Sequence, residues 1–311
     1  MRFALKHAAL VAACMAAFPA YATNGSFLPG FGVKSTGAGG VGIAMPGDTL
    51  SQVANPANAT ETGMRIDLGM TLLNPERTSR VGDSTGLVAD NPSANFGFNQ
   101  GDTSGNTLFL MPDMGFTMPL SESVSLGFAV SGVGGGNTTF KTNIFSSTFF
   151  PNTPNGDVDD VGGVDLMQLI APLTLAYKVN PQHSVGASVN MAVQRFKLNG
   201  AGQFATFGGS GISSDRDHLT NMGYDYSYGG GIKLGWLGKF LDDRVVVGAT
   251  WASRTYMTKF DDYRGLFAEQ GDMDYPENYG IGLTVKPVEN LAISADVVKI
   301  LYSEVASMGN K

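Results

Sequence analysis

One cysteine, Cys14, occurs among the 311 residues, and it lies close to the N-terminus. The rest of the chain has no thiol, which excludes a disulfide framework and a cysteine-ligated metal site. Charge is also scarce. Asp, Glu, Lys and Arg together make 15% of the residues, against about 25% in soluble domains. Lys and Arg nowhere run beyond two in succession, and the formal net charge is -7. That excludes the basic patch that nucleic-acid binding needs, and it argues against electrostatic anchoring to a membrane surface. After residue 22 the chain has no apolar run of about eighteen residues, so it contains no transmembrane helix candidate. What is abundant is glycine, with 42 residues, and phenylalanine, with 19. Many glycines and aromatics with few charges suit a β architecture with tight turns and a surface that need not meet water.

The first twenty-two residues read as a secretory signal. Arg2, Lys6 and His7 give a basic start, Ala8 to Phe18 is an apolar stretch, and Ala20-Tyr21-Ala22 is a small-x-small cleavage site. Cys14 sits inside the apolar stretch, ahead of the cleavage signal, and so is not a lipoprotein acylation site. Cleavage after Ala22 starts the mature chain at Thr23. An exported protein without membrane helices is periplasmic, secreted or an outer-membrane barrel, and periodicity decides among these.

Residues 23–63 form a region of their own. Gly30 to Gly42 is rich in glycine and small residues, and Pro46-Gly47-Asp48 and Asn55-Pro56-Ala57 are turn or helix-start signals. Asp48 is placed to cap a short helix over Thr49–Ala54. The expectation is a compact irregular segment with one or two short helices and no strand. From Met64 the period becomes two. Ile66, Leu68, Met70 and Leu72 alternate with Arg65, Asp67, Gly69 and Thr71, and similar alternation recurs down the chain. Nine such runs fall near 64–80, 106–119, 123–133, 164–179, 183–199, 223–238, 243–260, 274–287 and 290–305. Several exceed the roughly 9–11 residues of a tilted bilayer crossing.

Short turns at Pro119–Glu122, Asn180–Gln182, Leu241–Asp243 and Pro287–Glu289 alternate with long polar loops near 81–105, 134–163, 200–222 and 261–273. Outer-membrane barrels show this order, and a soluble sandwich has no reason to keep it. Tyr177, Tyr256, Tyr263, Tyr275, Tyr279 and Tyr302 fall near strand ends, where an aromatic girdle stands. As single residues they read equally well as ordinary strand aromatics.

The order of several pieces resembles the FadL-type outer-membrane transporters of long-chain fatty acids and aromatic hydrocarbons. These are Asn24-Gly25, Gly30-Phe31-Gly32, Gly37 to Ala44, Asn55-Pro56-Ala57, Ala171 to Ala187 and Pro276 to Gly282. The resemblance implies an all-β fold: a transmembrane antiparallel β-barrel of fourteen strands, with a small N-terminal hatch inside it. The hatch is then 23–63 and the barrel 64–311. With nine strands in view, about five are missing, which reads as a chain truncated at its C-terminus, because single-chain barrels have even strand numbers. A smaller barrel of eight or ten strands is the alternative. The resemblance further implies passive uptake of a hydrophobic ligand, held in an apolar pocket within the barrel. Release is then lateral, through an inward kink of the third strand. By position that kink falls at Gly132, Gly134, Gly135 and Gly136, which read equally as a flexible exit from strand to loop. Asn55, Pro56 and Ala57 are the hatch candidates, either as a moving gate or as a stiff anchor, since Pro56 fixes its own φ and restricts Asn55. Phe145, Phe149 and Phe150 either line a ligand groove among the outer loops or pack their loop upon itself.

Other chemistry is less well supported. Ser213-Ser214-Asp215-Arg216-Asp217-His218 gathers a nucleophile, acids and a base, but a triad is recognised by geometry and not by crowding in sequence. Asp157, Asp159 and Asp160 lack the spacing of a calcium loop, and the glycines at 132–136 lack the Lys-Ser/Thr of a phosphate loop. No cofactor and no metal is expected, and the chain is read as no enzyme. The expected partners are the hydrophobic ligand, outer-membrane lipid and lipopolysaccharide, and the outer-membrane assembly machinery, with the protein a monomer in the outer membrane. A carboxylate ligand would want a cation, and Arg195, Lys197, Arg244 and Arg254 are the candidates. The rival readings are a non-specific porin, an outer-membrane enzyme acting on lipids, and an adhesin.

Overall fold

A computed structural model describes residues 25–74, 76–81, 100–141, 161–202 and 213–309. Twelve strands occur in it: β1 (Arg65–Leu73), β2 (Thr78–Val81), β3 (Gln100–Thr103), β4 (Phe109–Pro119), β5 (Val124–Phe140), β6 (Gly162–Asn180), β7 (His183–Asn199), β8 (Asp225–Phe240), β9 (Val245–Ala252), β10 (Tyr256–Met257), β11 (Asn278–Val288) and β12 (Leu291–Ile300). One antiparallel sheet runs β1-β4-β5-β6-β7-β8-β9-β11-β12, with β10 on the edge of β8 and β2-β3 as a separate hairpin. The sheet curls into part of a barrel wall. Each of the nine runs of alternation supplies one strand of this path. No helix among the described residues is long and apolar enough to cross a membrane, which says nothing about crossing by strands.

The alternation sorts residues cleanly between two faces. Ile66, Leu68, Met70 and Leu72 of β1, Leu173 and Leu175 of β6, Val185, Val189 and Met191 of β7, and Ile281 and Leu283 of β11 are all exposed on the convex face, Leu68 at 80%. An apolar band of this extent on a wall of long strands is the face of a barrel turned toward lipid. The opposite face is small and polar. Thr174 and Ser188 bond each other at 2.9 Å, Thr284 and Ser294 at 2.8 Å, and Gln168 Nε2 donates to Gln194 Oε1 at 3.0 Å. Polar groups on the inner face thus find partners across neighbouring strands, as groups removed from water must.

The N-terminal segment lies against that concave face. It holds two short helices, α1 (Gly32–Gly37) and α2 (Ser51–Ala54), and a 3₁₀ turn over Pro56–Thr60. Asp48 Oδ1 accepts from the amides of Leu50 and Ser51 at 3.1 Å, which is the cap expected of it. The helix begins two residues later than its sequence suggests. The segment is also not free of strand character, because Phe27 forms a β-bridge to Gly134.

Four other expectations are corrected. The run 64–80 splits after Leu73, and its last part, β2, pairs with β3 from the region expected as the loop 81–105. The strand before 134–163 continues to Phe140, and the next starts at Gly162. The run 290–305 ends as a strand at Ile300, because Leu301 leaves extended geometry (φ -90°, ψ 60°) and the chain turns in to bury Val305 completely. Tyr263 and Tyr275 belong to no girdle. Tyr263 packs with Phe196 at a 4.8 Å ring separation, and Tyr275 sits edge-on to Phe27 at 5.9 Å. Both hydroxyls find backbone carbonyls. Tyr177, Tyr256 and Tyr279 are exposed, and so are Tyr224, Tyr226 and Tyr228 near the far end of β8.

Wall and segment meet where the wall has glycine. A Cβ at Gly235 would stand 2.0 Å from Asn55 Oδ1, one at Gly186 2.5 Å from Pro56 C, and one at Gly127 2.1 Å from Gln52 Oε1. Gly235→Val is therefore expected to lower the stability of the folded protein by about 1–3 kcal/mol through overpacking. Gly230→Val, whose Cβ would come no nearer than 3.8 Å to any atom, is the matched control. The thermal midpoint of the detergent-solubilised protein reads both. Equal midpoints for the two variants would refute the contact as drawn.

Candidate functional site

Two features of the concave side are candidates for function: the fastening of the N-terminal segment, and an interruption in the wall beside it. The fastening is dense. Asn55 is fully buried; its Nδ2 donates to the carbonyls of Ile43 (2.8 Å) and of Trp236 in β8 (3.0 Å), and its Oδ1 accepts from Ala57 N at 3.0 Å. Pro56 sets φ just where this turn begins, and Ala57 is fully buried. Gln52 Nε2 donates to the carbonyls of Phe116 and Phe128, each at 3.2 Å. Asp296 Oδ2 accepts from the amides of Gly42 (2.7 Å) and Ile43 (3.0 Å), and Asp67 Oδ2 from Thr49 N at 2.9 Å. Asn55, Pro56 and Ala57 thus come together as one corner held against β7 and β8. Such geometry suits an anchor more than a hinge.

Near the short-turn end, Glu61 meets Lys239 Nζ at 2.6 Å and Lys178 Nζ at 3.6 Å. Burial opposes ionisation of this carboxyl, but the hydrogen bond and charge of Lys239 and the charge of Lys178 outweigh it. The pKa is held below the ordinary 4.5.

The wall parts between β4 and β5. The two strands pair from Pro119↔Ser125 to Met114↔Val130 and no further. Beyond that point β4 keeps only β1, and β5 keeps β6, with a register shift between Gly132 and Gly134. Ser131 Oγ donates to Asp113 Oδ1 at 2.6 Å where the strands separate. Past the gap the wall is tied again by Gly105 N to Thr139 O at 2.7 Å and Asn106 Nδ2 to Thr139 Oγ1 at 2.7 Å. Gly132, Gly134, Gly135 and Gly136 line the resulting window. They lie within a strand, at a bulge, and not at a strand-to-loop exit. Val133, between them, is buried against a separate cavity, and the glycines themselves put no side chain of β5 into the opening. The freed edge is partnered from inside: Leu28 N donates to Val133 O at 2.7 Å, next to the Phe27–Gly134 bridge.

A cavity of about 450 Å³ opens at this window, within the ~300–1,000 Å³ range of ligand pockets. Its walls are mainly apolar, including Leu28, Leu73, Phe109, Met111, Leu166 and Leu169. Arg77 and Arg195 stand at its edge. Each has a buried Nε without a hydrogen-bond partner among the described residues, while Arg195 Nη2 is paired with Asp165 at 3.1 Å. A second, smaller cavity of about 120 Å³ lies between the N-terminal segment and the strands β5–β9, β11 and β12. Leu28 lines both cavities.

Of the other candidate cations, Lys197 lies over the Tyr224 ring at 4.6 Å, Arg254 stands 3.8 Å from Asp274, and Arg244 belongs to a short turn. Phe145, Phe149 and Phe150 lie outside the described residues, as do Asp157, Asp159, Asp160 and the first twenty-two residues. The Ser213–His218 cluster forms no triad. His218 Nδ1 meets Asp215 Oδ1 at 3.0 Å and Arg264 Nε meets Asp215 Oδ2 at 2.6 Å, while Ser213 Oγ donates to the carbonyls of Asp215 and Gly265. Those two partners, His218 first, lower the Asp215 pKa to about 2. No serine hydroxyl bonds His218 among the described residues. The cluster ties two of the long connections together. Among the described residues no group of His, Cys, Asp and Glu is arranged to hold a metal.

The model of one protein family, described as outer membrane protein transport protein (OMPP1/FadL/TodX), matches residues 20–309. Among solved structures, the Ralstonia pickettii toluene transporter TbuX aligns with a TM-score of 0.62 and 22% identity, over 89% of this chain and 73% of its own. The Pseudomonas putida toluene transporter TodX aligns at 0.56 and 17%, over 90% of this chain and 70% of its own. A Pseudomonas aeruginosa FadL homologue aligns at 0.56 and 16%, over 90% and 73%. At such identities the likeness to the solved structures shows the fold. No curated protein matches the chain.

The Glu61 cluster gives a pH prediction. A carboxylate held below its unfolded value stabilises the fold above about pH 4.5, and that contribution is lost as pH falls through the lower folded value. Glu61→Gln is expected to lower the thermal midpoint at pH 7, and the difference from the native protein is expected to shrink as the pH drops below 4.5. A difference that stays constant across that window would contradict the role given to Glu61.

Proposed function

The chain belongs to the OMPP1/FadL/TodX family of outer membrane transport proteins, and from that premise we propose that it is a passive channel for hydrophobic small molecules with a lateral exit. The observation that carries this reading is the apolar cavity of about 450 Å³ at a glycine-lined break in the wall. A fatty acid or hydrocarbon crosses a lipopolysaccharide leaflet poorly. Once inside an apolar cavity it gains about 0.8 kcal/mol for each methylene removed from water. The window between β4 and β5 then offers a path sideways into lipid without a crossing through water. Residues 23–63 act as the hatch, fixed at Asn55, Pro56 and Ala57, so passage through the barrel's length is closed. The moving part is the stretch near Phe27 and Leu28. Its hydrogen bonding to β5 is one amide bond and one bridge, fewer than the bonds that fasten Gln52 to Gly63, and the rest of its hold is apolar packing of Phe27. Withdrawal of Leu28 joins the two cavities to the window, and no energy source is needed. The long connections face outward and the short turns face the periplasm, following export and cleavage after Ala22.

This is a transport protein and not an enzyme, as are the family and the solved relatives. A watery, non-specific porin is disfavoured by a small inner face whose charged groups, among them Asp67, Asp113, Asp165, Lys178, Lys239 and Asp296, are paired or hydrogen-bonded. Toluene is the cargo that the names of TbuX and TodX give for those proteins. For this chain, alkane, aromatic and fatty acid bodies all satisfy the apolar walls.

Binding of radiolabelled oleate to the full-length protein in mild detergent, with toluene as competitor, tests the reading. Saturable binding is expected. Oleate that resists displacement assigns a fatty-acid transporter, and oleate displaced by toluene assigns a hydrocarbon pore. Met111→Trp, which fills the cavity at the window, is expected to reduce binding of either by about tenfold, in line with several lost methylene contacts. Absence of saturable binding of both ligands would overturn the channel reading.

A further inference from the structure

The convex face changes chemistry once along β7. Its outward positions run Val185, Ala187, Val189, Met191 and Val193, all apolar, and then Arg195 and Lys197. The inward residues beside this pair, Gln194 and Phe196, are buried, so both cations stand on the lipid side of the sheet. Val185 to Val193 has the length of a tilted bilayer crossing, roughly 9–11 residues. Arg195 and Lys197 therefore lie where the hydrocarbon ends, at the end of β7 that leads into a long connection. The neighbouring strand marks the same level. Tyr226 pairs with Arg195 and Tyr228 with Val193. Tyr224, Tyr226 and Tyr228 are all exposed, as rings at a membrane–water interface are.

The two cations converge on one ring. Arg195 Cζ lies 4.4 Å and Lys197 Nζ 4.6 Å from the centre of the Tyr224 ring. The Tyr224 hydroxyl donates to Asp165 Oδ2 at 2.9 Å, and Arg195 Nη2 meets the same oxygen at 3.1 Å. Asp165 is buried and balances one of the two charges. Lys197 has no carboxylate within ion-pair distance among the described residues, so one positive charge is left over, on a chain whose net charge is -7. Holding two like charges at one ring costs energy that an anion between them would offset. Arg and Lys are the side chains that bind phosphate, Arg through its planar fork and Lys as a point charge.

We infer that this cluster is an outward-facing site for a phosphate group of a phosphorylated glycolipid in the outer leaflet. In an outer membrane that leaflet is lipopolysaccharide, whose innermost phosphates lie at the hydrocarbon boundary. Lys197 supplies the uncommitted charge, Arg195 the donors that Asp165 does not take, and the acyl chains run down the exposed Met191 and Val189. Arg195 and Asp165 also border the window cavity, so the bound glycolipid stands beside the proposed exit. The inference goes beyond the channel reading and takes from it only that the long connections face outward.

Native mass spectrometry of the delipidated full-length protein in mild detergent, titrated with bisphosphorylated lipid A, with its dephosphorylated form and with inorganic phosphate, tests the site. Saturable binding of the phosphorylated glycolipid is expected, with the dephosphorylated form weaker by about fivefold or more. Lys197→Met is expected to weaken binding about fivefold, the attraction of one basic residue for anionic lipid headgroups, and Lys197→Arg to restore it. The joint variant Arg195→Gln with Asp165→Asn, which leaves no lone buried carboxylate, is expected to weaken binding as well, because the guanidinium donors are lost. Lys286→Met, at the short-turn end of β11, leaves binding as in the native protein. Equal binding of the two glycolipids would overturn the site, as would binding that survives both Lys197→Met and the joint variant. Inorganic phosphate bound as tightly as the glycolipid would overturn the lipid as its occupant. Labelling of an Asp242→Cys variant in intact cells by a bulky impermeant maleimide would overturn the orientation, and with it the leaflet. Oleate and toluene binding, which tests the channel, is read separately from all of these.

Discussion

Everything in this structure depends on the close seating of the N-terminal segment on a wall stripped of side chains. Gly115, Gly127, Gly186, Gly235, Gly248 and Gly280 belong to six different strands, and at each a Cβ would come within 2.5 Å of a segment atom. Removing those side chains lets backbone meet backbone across the concave face. It also brings carbonyls such as those of Phe116, Phe128 and Trp236 within reach of Gln52 and Asn55. A bilayer-spanning wall has little apolar driving force to bury outward, since its convex face already sits in lipid. Its interior is therefore organised by hydrogen bonds and shape, and a segment held by many such bonds becomes a fixed part of the wall.

That fixing determines where movement is possible. From Gln52 to Gly63 the segment bonds to five or more wall residues, including the carboxylate–lysine cluster at Glu61. At its other end, Leu28 and Phe27 meet β5 through one backbone hydrogen bond, a bridge and the packing of Phe27 in the cluster of Val133 and Tyr275. The break between β4 and β5 lies at this end, which has fewer hydrogen bonds to the wall. A wall that parts must still satisfy its backbone. Here Ser131 with Asp113, and then Gly105 and Asn106 with Thr139, frame the opening, while Leu28 occupies the exposed edge of β5 between them.

Much of this was legible in the sequence, and the rest fails for identifiable reasons. Strict alternation marks a two-faced strand wherever large and small residues take turns, so all nine wall strands were found. Beyond Val133 the alternation vanishes, because a glycine run has no large residue to mark the outer face. β5 therefore reads as ending seven residues before its true end at Phe140. Its glycines read either as a kink or as an exit, and only pairing could tell a bulged strand from a loop. The Asn55-Pro56-Ala57 corner was legible as a stiff turn, but not its seat against Gly186 and Gly235, which are remote in sequence. Tyr263 and Tyr275 looked like girdle residues because position along the chain does not reveal which connections fold inward.

We propose that cargo leaves through the window between β4 and β5. The sequence has no cysteine beyond Cys14, so a pair placed by Met111→Cys and Gly132→Cys spans the window without competing thiols. Met111 Sδ already lies 3.6 Å from where a Cβ at Gly132 would stand. Uptake of radiolabelled ligand is to be measured in cells producing this variant, before and after the pair is joined with a short reducible cross-linker. The lateral exit predicts that cross-linking abolishes uptake and that reductant restores it. Uptake that continues unchanged with β4 and β5 tied together would contradict it.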